Sequence, residues 1–303
     1  MSDFNRGIKN EAFLEELRRL AAEESWWRDV LSDRSLIIAL RDEYLNVYWQ
    51  GQSIFRVSFV NGRVAASTHP KYLLNPDVSG QISLVGGSFE LKKLEATMLT
   101  RSYEGPETLD KLKRAAGLFS GAEKEGVHAI ATSNPSVVDV EIALSANGIS
   151  DVGSLPRLDL AAFEAVTDHI DLVFWEAKLF DNPQLAPRSI VVQIGKYQRV
   201  IEAFRQRLLD SYRLVAQNLV ELSKMSGSVR QVSEAVQQVA AGRVQLSVST
   251  SDIGIIVYGY DADHQRPGSK GEALKKELAR SLSELGIDER RVRFRGDPKG
   301  LRL

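Results

Sequence analysis

Cysteine is absent from the 303 residues. That excludes disulfides, thiolate metal sites and a cysteine nucleophile, and it fits a reducing compartment. No run approaches the ~18 consecutive apolar residues of a membrane span, and the opening "MSDFNRGIKNEAFLEELRRL" lacks the apolar centre of a signal peptide. The expectation is therefore a cytoplasmic protein that does not enter membranes. An excess of charge of one sign is missing too, with 39 Lys and Arg against 40 Asp and Glu. A nucleic-acid or other polyanion site must then be a local patch. The four histidines, His69, His128, His169 and His264, form no HxH or HxxxH pair. "GSKGE" at 268–272 lacks the G-x-x-x-x-G-K-[ST] spacing of a phosphate loop.

What is present is an ordinary globular composition, 43% apolar and 26% charged, with a length that suggests about two domains. The pattern divides at residue 104. Within 1–104, apolar residues at helical spacing predict one amphipathic helix over 10–31. "YLNVYWQGQSIFRVSFVNGRVAAST" then alternates apolar and polar residues, broken at Gln50-Gly51 and Asn61-Gly62, which predicts an antiparallel meander. "VSGQISLVGGSFELKKL" fits a strand or a loop. Within 105–303, a helix over about 107–120 ends in glycines. Strands follow at "SVVDVEIALS", "PRLDLAAFEA" and "HIDLVFWEAKLF", then a long helix over about 189–225. "DIGIIVYGYD" is a further strand, "KGEALKKELARSLSELG" a helix, and "RRVRFRG" a last strand. Helix, three strands, helix, strand, helix, strand is an α/β arrangement around a mixed sheet, preceded by an α+β domain.

One stretch is chemically odd. In "DLVFWEAKLFDN", Glu176 and Lys178 fall on the strand face of Leu172 and Phe174, while Val173, Trp175 and Ala177 take the other. Burying an unpaired charge is costly, so these two need partners. Asp159, on the preceding strand, meets Glu176 if the two strands form a hairpin. Two carboxylates that close repel each other, and a hard divalent cation resolves the repulsion. The plainer alternative is a structural ion pair at the end of a sheet.

Asp159, followed by Glu176-Ala177-Lys178 on the next strand, resembles the PD-(D/E)XK nuclease superfamily. Gln193 and Tyr197 in "QIGKY" form a Q-x-x-x-Y pair fifteen residues after Lys178, as in its RecB-like branch. The sequence departs from the pattern in having Pro156 three residues ahead of Asp159 instead of a Pro-Asp dipeptide. The resemblance covers roughly 105–260 and implies a restriction-endonuclease-like core of helix, three-stranded meander, helix and strand. It implies metal-dependent hydrolysis of nucleic acid, DNA foremost, with Mg²⁺ as cofactor and Mn²⁺ as its substitute. Asp159, Glu176 and the Ala177 carbonyl would hold the metal, joined by an upstream acid. For that acid Glu141 comes first, with Glu123, Glu125 and Asp139 as alternatives. Lys178 would orient water and offset developing charge. Gln193 and Tyr197, with Lys196 and Arg199 beside them, would contact the substrate backbone. Basic clusters at 188–213 and 290–302 are further phosphate-binding candidates. Such proteins serve restriction, phage defence, mobile elements or repair, and cutting both strands suits a homodimer, with the N-terminal domain as a recognition or partner-binding module. The alternatives are a catalytically silent binding module on the same fold and a small-molecule enzyme with Lys178 as its base.

Overall fold

The computed structural model describes every residue except 1–3, 76–83, 86, 90–96, 145–148, 150–151 and 154. The first segment folds as two helices rather than the single one expected: α1 (Glu11–Ala22) and α2 (Trp26–Ser32). The break has a local cause. Ser25 is extended and its side chain accepts from the Arg28 N–H, so it caps a new helix instead of continuing the old one. A four-stranded antiparallel sheet follows: β1 (Ile37–Leu40), β2 (Tyr44–Trp49), β3 (Gln52–Val60) and β4 (Arg63–Ser67), in that order. Both expected turns are present. Gln50-Gly51 and Asn61-Gly62 each place two consecutive residues at positive φ, the backbone of a tight hairpin. β1 was not expected, because "LIIAL" is a continuous apolar run without alternation. Most of "VSGQISLVGGSFELKKL" lies outside the described residues; what is described there is a short hairpin, β5 (Leu84–Val85) and β6 (Ser88–Phe89).

The second sheet is mixed and has six strands. Its elements run α3 (Pro106–Gly117), α4 (Ala122–Ser133), β7 (Val137–Ile142), β8 (Leu158–Ala165), β9 (His169–Leu179), α5 (Pro187–Met225), α6 (Glu234–Ala240), β10 (Gln245–Ser247), β11 (Ile253–Tyr258), α7 (Lys270–Ser283) and β12 (Val292–Phe294). The strand order is β12-β11-β9-β8-β7, with β10 also pairing β9. β7, β8 and β9 are antiparallel neighbours, whereas β11 runs parallel to β9 and β12 parallel to β11. The chain is thus a mixed α/β protein, as its pattern implied.

α4 replaces the expected run of glycines closing the earlier helix. Gly126 lies inside it and permits a close approach: an added Cβ would sit 2.2 Å from the Tyr258 ring. What reads as a stop signal is a packing requirement. β9 is buried along both faces. Leu172 and Phe174 join the core under α5, while Val173, Trp175 and Ala177 join the core under α4 with Val127 and Ile130. The apolar core extends from Phe4 and Trp27 through to Phe294, across the division near residue 104. A buried network ties the two parts together: Asp139 meets Arg41 at 2.6 Å, Arg6 at 3.2 Å and the Tyr212 hydroxyl at 3.1 Å.

Candidate active site

The β8–β9 hairpin forms in the register that the sequence required. Leu160 opposes Trp175 as the outermost described pair, and Asp159 and Glu176 are the next residues along their strands, near enough for the Glu176 charge to act on Asp159. Asp159 then reaches across the strand, its Oδ2 accepting the Ala177 N–H at 2.8 Å. Lys178 projects on the Glu176 side, with Nζ 2.8 Å from Glu176 Oε1. Both side chains of this pair are almost wholly buried, 7% and 3% exposed. The parallel strand β11 flanks them, with Ile255 beside Glu176 and Val257 beside Lys178. These charges therefore stand at the carboxyl ends of two adjacent parallel strands, where open α/β sheets place their ligands.

The long helix supplies the next layer. Gln193 donates from Nε2 to the Tyr197 hydroxyl at 2.9 Å. That hydroxyl lies 3.4 Å from Glu176 Oε2 and 3.2 Å from the Pro156 carbonyl. Both residues of the Q-x-x-x-Y pair thus converge on Glu176. Tyr197 is fully buried, so it positions the carboxylate and does not present a surface to substrate. Arg199 is exposed and turns its Nε back toward the Gly195 carbonyl, 3.4 Å away, while Lys196 is half-buried on the same helix. Neither is brought against Asp159, Glu176 or Lys178.

Among the acids weighed for the upstream position, the structure brings Glu123 to the lysine. Glu123 lies in the first turn of α4, with Oε1 3.4 Å from Lys178 Nζ and Oε2 bonded to the Asn182 side-chain amide. Its own carbonyl accepts from the Tyr258 hydroxyl at 2.7 Å, which fixes that turn against the end of β11. Glu141 lies between Val140 and Ile142, which pair with Leu160 and Leu158 on either side of Asp159, and its charge adds to the raising of the Asp159 carboxyl. It sits at φ 51°, beyond a bulge in β7, and pairs with Arg157 at 3.5 Å. Glu141, Glu123 and Asp159 nevertheless line one cavity of about 200 Å³, walled on its far side by Ile37, Tyr48 and Gly51 of the N-terminal part. Glu125 is exposed, and Asp139 belongs to the buried Arg41 network, away from the lysine. His128, also on the cavity wall, is a strut. Its Nδ1 accepts from the Gln50 N–H at 3.2 Å and its Nε2 faces the Ser35 carbonyl at 2.8 Å, and burial lowers its pKa.

The electrostatics separate the members. Burial, then the Glu176 charge, pushes the Asp159 carboxyl well above the usual carboxylate range, against the pull of the Ala177 N–H and Lys178. Burial likewise raises Glu176 despite its lysine partner. Burial tends to lower Lys178, but the Glu176, Asp159 and Glu123 carboxylates overcome it and raise its pKa. Lys178 is therefore a fixed cation at neutral pH. Burial and the Glu176 charge keep the Tyr197 phenol neutral.

Among the described residues, no three His, Cys, Asp or Glu side chains already stand as a metal-ligand set. No helix there is long and apolar enough to cross a membrane. Of the two basic clusters, much of the C-terminal one is engaged within the fold: Arg291 and Arg293 both bond Glu164. Sequence reasoning reached Asp159, Glu176, Lys178, Gln193 and Tyr197. It held Glu123 as one alternative to Glu141, beside Glu125 and Asp139, and missed Tyr258, whose signal was its place one residue past Val257, the neighbour of Lys178 in the sheet. No family model, no curated protein and no solved structure matches the chain.

Proposed function

We propose that this chain is a metal-dependent phosphodiesterase acting on nucleic acid, DNA foremost, with a restriction-endonuclease-like core of the PD-(D/E)XK kind. One observation carries the reading. Asp159 and Glu176 follow directly on the Leu160–Trp175 pair of a hairpin, the Glu176 charge acts on the Asp159 carboxyl, and Lys178, two residues beyond Glu176, holds its ammonium against the same carboxylate. The element order supports it as well, since a helix, the β7–β8–β9 meander, α5 and the parallel strand β11 follow one another as that resemblance implies.

The donor chemistry fits a hard divalent cation. Asp159 is a half-buried carboxyl held above its usual pKa by desolvation and by a second carboxylate, and among the described residues it closes no ion pair; a cation would relieve that repulsion. Asp159, Glu176 and Glu123, with the Ala177 carbonyl, would hold Mg²⁺ or Mn²⁺. When bound, such an ion supplies Lewis-acid polarisation of the phosphodiester and of the attacking water. The chain's own contribution is positional and electrostatic. Tyr197 and Gln193 fix the Glu176 carboxylate, and Lys178 places a permanent positive charge where negative charge grows on phosphorus-bound oxygens. A small-molecule enzyme with Lys178 as its base is disfavoured, because its neighbours raise the lysine pKa. A silent binding module on the same fold draws on the closed Lys178–Glu176 pair, which occupies one Glu176 oxygen.

The test uses plasmid, linear duplex, single-stranded DNA and RNA, each with Mg²⁺, Mn²⁺ or EDTA. Cleavage that needs metal and falls at least ~100-fold in Lys178→Ala supports the reading. Cleavage surviving that change refutes the site. No cleavage by the folded wild type on any substrate favours the silent module.

A further inference from the structure

A second concave surface lies outside the site. It is a groove of about 770 Å³ between α7 and the edge strand β12. Its rim carries Lys275, Lys276, Arg280 and Arg295 against Glu272 and Glu289. Lys276 is paired with Glu272 at 2.7 Å, but among the described residues Lys275, Arg280 and Arg295 close no ion pair. All three are exposed. The groove is thus a concave surface with unneutralised positive charge in a chain of net charge −1.

Its position connects it to the site. Lys178, Val257 and Phe294 are lateral neighbours on β9, β11 and β12. Two strand spacings of about 4.8 Å put Phe294, on the groove wall, about 10 Å from Lys178. That distance spans about three nucleotide steps at a rise of 3.4 Å. The intervening edge is closed by rings: Phe180 lies 5.6 Å from Tyr260 and 3.9 Å from His264, and Tyr260 lies 4.9 Å from Phe294. Gly259 and Tyr260 donate backbone N–H groups to the Gly296 and Arg295 carbonyls, so the groove mouth is fixed to the end of β11.

We infer that this groove carries the phosphate backbone of the nucleic-acid strand that leaves the site past Lys178. The inference rests on the nuclease reading for its occupant, while the charge and the shape are properties of the groove. Lys275, Arg280 and Arg295 contact phosphates without reading sequence, and release of condensed counterions drives the association.

The experiment measures anisotropy of fluorescein-labelled 30-mer duplex and single-stranded DNA in EDTA across a KCl series. Wild type is compared with Lys275→Glu/Arg280→Glu/Arg295→Glu. A control of equal charge change, Lys9→Glu/Arg63→Glu/Arg114→Glu, alters exposed residues elsewhere. The groove variant should bind at least ~10-fold more weakly, and its slope of log K against log salt should be about 2–3 smaller on duplex. Thermal melting checks that it folds; if it does not, the corresponding glutamine triple variant takes its place. Equal losses in the groove variant and the control, or no loss in either, overturn the inference. Cleavage measured in parallel separates the two readings. A wild type that cleaves, with a groove variant that binds and cleaves normally, removes the groove and leaves the nuclease. Groove-dependent binding without any cleavage leaves the groove and removes the nuclease. A wild type that neither binds nor cleaves overturns both.

Discussion

The β8–β9 hairpin carries a pair of carboxylates at each end, and the two ends are treated differently. At the amino end of β9, Glu164 faces Asp171. Arg291, 1% exposed, reaches into this pair, bonding Glu164 and lying 3.5 Å from Asp171 and 3.3 Å from Asp252. Arg293 adds a second contact to Glu164 at 3.2 Å, and His169 meets Asp171 at 3.0 Å. At the carboxyl end, next to Asp159 and Glu176, Lys178 is divided between Glu176 and Glu123, and Arg157 pairs with Glu141. Asp159 is left with a backbone N–H. Paired carboxylates are therefore not in themselves a sign of chemistry. A pair closed by arginines is architecture, and a pair left short of positive charge is a place for a cation to bind.

The largest effect expected of this contrast is at the closed end. Arg291→Met leaves three carboxylates without their central partner and should destabilise the protein by about 3–5 kcal/mol in urea unfolding, as for other broken buried ion pairs. Any cleavage activity of the folded fraction should persist. A cost below about 1 kcal/mol would break the contrast.

Next in size is the packing that delivers Glu123. Gly126→Ala drives a Cβ into the Tyr258 ring, for about 1–3 kcal/mol of overpacking. It should also lower cleavage by shifting the first turn of α4 off Lys178. Tyr258→Leu in the same chain should restore part of the stability but not the activity, because it frees space while removing the bond to the Glu123 carbonyl. Full additivity of the two changes would mean that the contact is not made.

Asp159→Asn reverses the sign. An acid whose folded pKa is raised is neutral in both states at low pH. As pH climbs from the unfolded carboxyl range, near about 3.9, through the folded value, the wild type loses stability. Asparagine keeps the acceptor for the Ala177 N–H and avoids that loss. Without metal the variant should be more stable than wild type by about 0.5–2 kcal/mol above the folded pKa, with no gain near pH 3, and cleavage should be lost. Melting temperatures over a pH series decide it, and a variant less stable at every pH would refute the unsatisfied carboxylate. The smallest effect belongs to Tyr197→Phe, which removes one hydroxyl at about 0.5–1.5 kcal/mol. Because that hydroxyl orients Glu176 and touches no substrate, kcat should fall while KM holds.

Much of the site was legible because strand periodicity and hairpin pairing are local rules. An alternation of two and a short connection set Asp159 against Glu176, and a spacing of four set Gln193 beside Tyr197. Glu123 was harder to see. Its helix opens on Gly121 with no side-chain cap and contains Gly126, so local signals argued against a helix at all. Glu141 was favoured by strand position, and its strand does carry it beside Asp159, while its positive φ and its pairing with Arg157 leave no mark in an alternating pattern.

By itself, then, the sequence determined the α/β class, the run of strands and the face shared by Glu176 and Lys178, all of which follow from period and propensity within a few residues. The tertiary structure alone decided which carboxylate pair arginine neutralises, which acid reaches the lysine, and that a groove lined by Lys275, Arg280 and Arg295 lies near it. Those outcomes depend on contacts between residues such as Glu164 and Arg291, 127 positions apart in the chain. Charge balance in a buried site is set by such neighbours in space, and the chain order does not encode them locally.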